Sequence, residues 1–109
     1  MVATILNHET ERAIKLLSDY YRVEVPRIGV GVVKGRSKGV LAVYSAHRKE
    51  ILAVSMEYLY DPFVMLHEFY HHLRQFAGQH RGTEKNADRF ALDYIAAYRR
   101  VAAGLSATK

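Results

Sequence analysis

His67-Glu68-Phe69-Tyr70-His71 sets two imidazoles four residues apart with a carboxylate beside the first. On an α-helix this spacing stacks the two rings on one face, where both can reach a single metal ion. Zinc accepts such nitrogen ligands in tetrahedral geometry. Glu68 is turned by about 100° from His67, next to that face rather than on it. Its carboxylate is then placed to take a proton from water at the metal, the division of labour of a zinc hydrolase. Such a site needs three protein ligands and one position left for water. Glu84, at the start of a second predicted helix, is the expected third ligand, with His80 and His72 as rivals. Asp88 lies four residues on and shares the Glu84 face. It is expected to accept the outer N–H of a ligand histidine and so fix that ring's tautomer. His72 lies about 100° beyond His71 and is expected to point away, at the surface.

The elements that must hold these groups can be read outward from the motif. Asp61-Pro62 predicts a helix start, with aspartate capping free N–H groups and proline at the first helical position. That helix should run to about Ala77, with Gly78 as its left-handed stop. Leu66, Phe69, Tyr70, Leu73 and Phe76 fall opposite the histidines, which predicts a core face and a cleft face. Thr83 is the expected cap of the next helix, Glu84 to about Ala103, ending before Gly104. Upstream, Ile5, Leu6, Ala13, Ile14, Leu17 and Tyr21 recur at helical steps and predict a helix over 3–21, or a shorter one capped by Asn7 or Thr10. Val23 to Val33, Val40–Ala46 and Ile51–Ser55 read as strands. Turns at Gly35–Gly39 and His47–Glu50 predict antiparallel neighbours. Met56–Tyr60 reads equally as strand or loop. The predicted fold class is α+β in the order α-β-β-β-α-α, with a small antiparallel three-stranded sheet packed on the motif helix and the glutamate helix. Gly29, Gly31 and Gly35 do not make a phosphate loop, because no helix follows them.

Composition narrows the chemistry. The 109 residues are half hydrophobic and one quarter charged, which fits a single domain over 1–109. No run approaches the roughly 20 apolar residues of a membrane span. Cys 0 excludes disulfides, thiolate ligands and a cysteine nucleophile. The start MVATILNHETER lacks a basic region followed by an apolar block, so a cytoplasmic location is expected. Sixteen basic and eleven acidic residues give +5, which raises nucleic acid as a partner. The densest basic cluster, Lys34, Arg36 and Lys38, sits in a predicted turn where such residues protect sheet edges. A solvated basic surface is therefore expected, and the expected partner is a peptide or protein substrate.

The chain resembles the gluzincin metallopeptidases, which join a His-Glu-x-x-His helix to a second helix bearing a glutamate ligand and an aspartate four residues on. Here those positions are His67, Glu68, His71, Glu84 and Asp88. Glu84-Lys85-Asn86-Ala87-Asp88-Arg89-Phe90-Ala91 is also similar to the corresponding helix of ImmA/IrrE-type peptidases. Size and element order are most similar to the minigluzincins. The resemblance implies a zincin-like domain, Zn2+ as cofactor, peptide-bond hydrolysis with Glu68 as general base, and a route to latency with a terminal segment in the cleft. Gly104–Lys109 and the N-terminal segment are the two candidates for that segment. Larger gluzincins stabilise the oxyanion from a further C-terminal subdomain, which is not expected within these 109 residues. Tyr58, Tyr60, His80, Arg81 and Tyr94 are the residues that could take its part. An extended substrate is expected along the edge of Val40–Ala46. The alternative is a zinc-containing module that binds protein or nucleic acid and cuts nothing.

Overall fold

The expected cap is present at Asp61, in a computed structural model that describes residues 2–6, 8–31, 41–77 and 84–107. Asp61 Oδ1 accepts from the backbone N–H groups of Phe63 at 2.9 Å and Val64 at 3.2 Å. These are two of the donors that a helix start otherwise leaves unsatisfied. In chain order the elements are α1 (Val2–Leu6), α2 (Thr10–Tyr21), β1 (Arg27–Val30), β2 (Ala42–Ser45), β3 (Glu50–Ala53), α3 (Met56–Leu59), α4 (Pro62–Ala77) and α5 (Glu84–Ala107). The fold class is α+β.

The sheet departs from expectation. Its order is β1-β3-β2, with β2 antiparallel to β3 but β1 parallel to it. The sheet is therefore mixed, and β1 is not the hairpin partner of β2. The cause lies in burial. Ile51 and Ala53 of β3 are inaccessible to solvent, whereas β1 carries exposed Arg27 and Val30. The strand with the most apolar surface to hide takes the centre. Alternation shows which side chains share a face, but it does not show which strand lies alongside. The turn before β3 behaves as read, with Lys49 in a left-handed conformation at φ 52°.

The first helix is broken. His8 adopts φ 66°, and the chain restarts as α2 at Thr10. Thr10 does not cap α2 with its side chain. Its hydroxyl donates instead to the Leu59 carbonyl at 2.7 Å, tying α2 to α3. Ala13, Ile14 and Leu17 of α2 are buried, at the spacing that placed them on one face. Met56–Tyr60, read as strand or loop, is neither: Met56–Leu59 forms the short helix α3, with Tyr60 at its C-terminal cap. At the far end α5 continues through Gly104 to Ala107 rather than stopping at Ala103. One glycine costs a helix only about 1 kcal/mol, too little to end a long one.

α4 is the central helix, packed against β2, β3, α1, α2, α3 and α5. Val64, Met65, Leu66, Phe69 and His72 are all buried, so its covered surface is wider than a single stripe opposite the histidines. A fully buried side chain of this size contributes about 1.5–3 kcal/mol. Toward α5 the core is aromatic, with Phe90 stacked 6.4 Å from Phe69 and tilted 5.4 Å from Tyr70. Ala87 and Ala91 of α5 are fully buried. Their small side chains allow its axis to approach α4 closely. Gly35–Gly39, the Lys34, Arg36 and Lys38 cluster, Gly78, His80, Arg81 and Thr83 lie outside the described residues.

Candidate metal centre

Three side chains from α4 and α5 meet. Glu84 Oε2 lies 2.7 Å from His67 Nε2, and Glu84 Oε1 lies 2.9 Å from His71 Nε2. The two imidazole centroids are 5.1 Å apart. Glu84 contacts both rings, and Asp88 contacts the earlier one through Oδ1, 2.8 Å from His67 Nδ1. Later positions of α5 thus meet earlier positions of α4, so the two helices run antiparallel. The four residues picked out by spacing are brought together.

One ligand atom from each of His67, His71 and Glu84 lies within 4.8 Å of the others, and the group could hold a metal ion. The donor chemistry fits a cation. A neutral imidazole carries one N–H, whereas His67 has a carboxylate oxygen at each ring nitrogen. With the Nδ1 proton given to Asp88, His67 Nε2 and Glu84 Oε2 are both acceptors. A positive charge between them, whether a second proton or a metal ion, turns that repulsion into attraction. Burial pushes the pKa of His71 below the usual histidine value, and the neighbouring His67 pushes the same way, against the pull of Glu84. That favours the neutral ring a metal requires. The two histidine side chains are 12% and 22% exposed and Glu84 is 77% exposed, so the group opens to solvent on the Glu84 side.

Glu68 is buried beside this group, its Oε2 3.9 Å from His67 Nε2. It stands next to the three donors without joining them. Phe63, one turn before His67, sets its ring 6.0 Å from that imidazole.

His72 is not at the surface. It points away from the donors, as expected, but it is fully buried. Nε2 donates to the Glu24 carbonyl at 2.6 Å, and Nδ1 therefore accepts from the Tyr44 hydroxyl at 2.7 Å. Burial, foremost, lowers the His72 pKa and raises that of Tyr44 to about 12. This arrangement locks β2 and the segment before β1 onto α4. The available signal was angular: on a helix wheel His72 falls between Glu68 and the apolar Met65 and Phe69.

The tyrosines considered for an oxyanion role are engaged elsewhere. Tyr60 stacks on His8 at 4.0 Å, Tyr94 shares a 2.8 Å hydrogen bond with Tyr21, and Tyr58 packs against the core. No helix among the described residues is long and apolar enough to cross a membrane. Comparison of the chain with family models, curated proteins and solved structures finds no match.

Proposed function

We propose that this chain is a zinc-dependent metallopeptidase with a zincin-like domain, in which His67, His71 and Glu84 hold the ion and Glu68 is the general base. The observation that carries the reading is the meeting of those three donors with a buried carboxylate 3.9 Å from one of them. Zinc, when bound, supplies Lewis acidity that lowers the pKa of water and polarises a carbonyl. The residues do the rest. Asp88 holds the His67 Nδ1 proton, which leaves Nε2 free as a donor atom. Glu68 takes a proton from the attacking water as its oxygen adds to the peptide carbonyl carbon. As the C–N bond breaks, Glu68 returns the proton to the leaving amine.

Among the described residues β2 lies at one edge of the sheet, and it packs on α4. An extended peptide laid along it would extend the sheet as a further strand. His72 and Tyr44 hold that edge in register with α4.

The test is digestion of a mixed peptide pool by zinc-loaded protein, read by mass spectrometry, beside Glu68→Ala. Cleavage by the wild type and its loss in a variant that still binds zinc supports the reading. Equal cleavage by both removes Glu68 from its role. Zinc binding without cleavage, together with salt-sensitive nucleic-acid binding, favours the non-catalytic module. Latency is tested from the C-terminal side, by truncation after Ala103. The N-terminal side is unsuitable because Val2 and Ile5 are part of the core.

A further inference from the structure

Among the described residues β1 forms the edge of the sheet opposite β2. Arg27 and Gly31 turn their N–H groups inward, to the Lys49 and Ala53 carbonyls. Backbone groups alternate along a strand, so Ile28 and Val30 turn theirs outward. Among the described residues those outward groups meet no partner. Beside them a groove of about 650 Å³ separates β1 from α2, lined by Arg12, Lys15, Pro26 and Ile28 among others, so the space along this edge is open. The charges here do not pair within the chain. Arg27 is exposed and stands opposite Glu50 in the β1–β3 register, yet the two form no ion pair. Glu50 Oε1 meets Arg48 instead, at 3.9 Å. Its other oxygen leans over Gly29, where a Cβ would lie 3.8 Å from Glu50 Oε2 and 3.5 Å from Leu52. Gly29 thus leaves a place for a side chain arriving from a neighbouring strand, with a carboxylate beside it.

We propose that this edge joins two copies of the chain: β1 of each pairs antiparallel with β1 of the other, Ile28 against Ile28, into one continuous sheet. The proposal is independent of the peptidase reading. Antiparallel pairing of identical strands is two-fold symmetric, so every contact occurs twice. Outward groups must meet outward groups, which confines the register to steps of two residues. With Ile28 on the axis, the two Ile28 residues exchange both N–H···O bonds. Each Val30 N–H donates to the Pro26 carbonyl of the other copy, and Pro26, which has no N–H, serves as acceptor alone. Arg27 then stands opposite Gly29 of the other copy, on the same face, with its guanidinium beside that copy's Glu50. Charge selects this register. With Arg27 on the axis, the two cations would face each other. With Gly29 on the axis, Arg27 would lie opposite Gly31, whose Cβ position meets Leu52 and no carboxylate. Val30, 41% exposed, is set against Pro26 and leaves water as well. An edge arginine ordinarily keeps strands from pairing. Here each copy presents a carboxylate where the other presents the cation, so the same residue favours this one partner.

The experiment is sedimentation equilibrium of the full chain over a concentration series. The mass is expected to rise from 12.5 kDa toward twice that value. Arg27→Glu and Glu50→Arg each put like charges on both symmetric contacts, and each should weaken self-association by about tenfold or more. An equimolar mixture of the two variants restores opposite charges at both contacts, so its association should return toward that of the wild type. A loss of fold or of local strand stability would not recover on mixing. Hydrogen exchange of the wild type needs no variant: the Ile28 and Val30 amides should become more protected as concentration rises. A wild type that stays at 12.5 kDa, a dimer that neither variant weakens, a mixture no tighter than its components, or β1 amides whose exchange ignores concentration overturns the proposal. Monomers whose β1 amides are protected by an added unrelated extended peptide would give the edge to another occupant and overturn it too.

Discussion

Oδ1 of Asp88 lies 2.8 Å from Nδ1 of His67, while Glu84 meets the opposite nitrogen of the same ring at 2.7 Å. One imidazole is thus gripped from both ends by carboxylates one turn apart on α5. The outer contact fixes the ring's rotation and tautomer, and the inner one faces the candidate metal site. Asp88→Asn keeps the shape but weakens the acceptor. It is expected to lower zinc affinity by about 10- to 100-fold, measured by competition with a chromophoric chelator. Unchanged affinity would show that the contact does not orient His67 for a metal.

Binding to the folded state alone must raise stability. Zinc at about one hundred times its dissociation constant adds about 2.7 kcal/mol. For a chain of this length that is a rise in Tm on the order of 10 °C. Glu84→Ala should abolish most of the rise while changing the metal-free Tm little, since its side chain is 77% exposed. Thermal melts with and without zinc read both effects. A zinc-induced shift equal in wild type and variant would remove Glu84 from the ligand set.

The approach of α5 to α4 depends on small side chains. Ala87 is inaccessible to solvent and sits between Glu84 and Asp88 in sequence. Ala87→Leu overpacks that seam, at a cost of about 1–3 kcal/mol. The same change should weaken zinc binding, because Glu84 and Asp88 move out with the helix. Urea unfolding and the chelator assay, run on the same variant, check both. A stability loss with intact zinc affinity would mean that α5 holds its acids independently of the seam.

Half-buried Tyr44 and fully buried His72 share a hydrogen bond, and removing the tyrosine hydroxyl takes it from His72 Nδ1. Tyr44→Phe is expected to destabilise the fold by about 1–3 kcal/mol, read by urea unfolding. A neutral result would require His72 Nδ1 to find another partner.

The same tyrosine predicts an alkaline limit. Burial, with Glu24 acting in the same direction, raises the Tyr44 pKa from 10.0 to about 12. Burial and the bond to Tyr21 raise that of Tyr94 as well. A raised folded pKa means that the folded state holds its proton more tightly than the unfolded chain. The resulting stability is fully present below pH 10 and is lost as pH rises through about 12. Urea midpoints should fall across that window, with late phenolate absorbance from two of the eight tyrosines. Midpoints independent of pH there would contradict the burial of these hydroxyls.

Much of the candidate site was legible because helices repeat. His67 and His71 four apart, and Glu84 and Asp88 four apart, must each share a face on any straight helix, whatever surrounds them. Asp61 announced the start of α4 for the equally local reason that its carboxylate reaches N–H groups two and three residues on. The seat of β3 between β1 and β2, the break at His8 and the burial of His72 between Tyr44 and Glu24 were decided elsewhere. Each depends on partners far away in the chain. The pairing of strands follows from which one hides the most apolar surface in the assembled core, and a histidine becomes an interior residue only when β2 and the segment before β1 close over it. Local spacing is silent on the strand order and gives only the angular hint for His72, because both are settled by packing between distant segments.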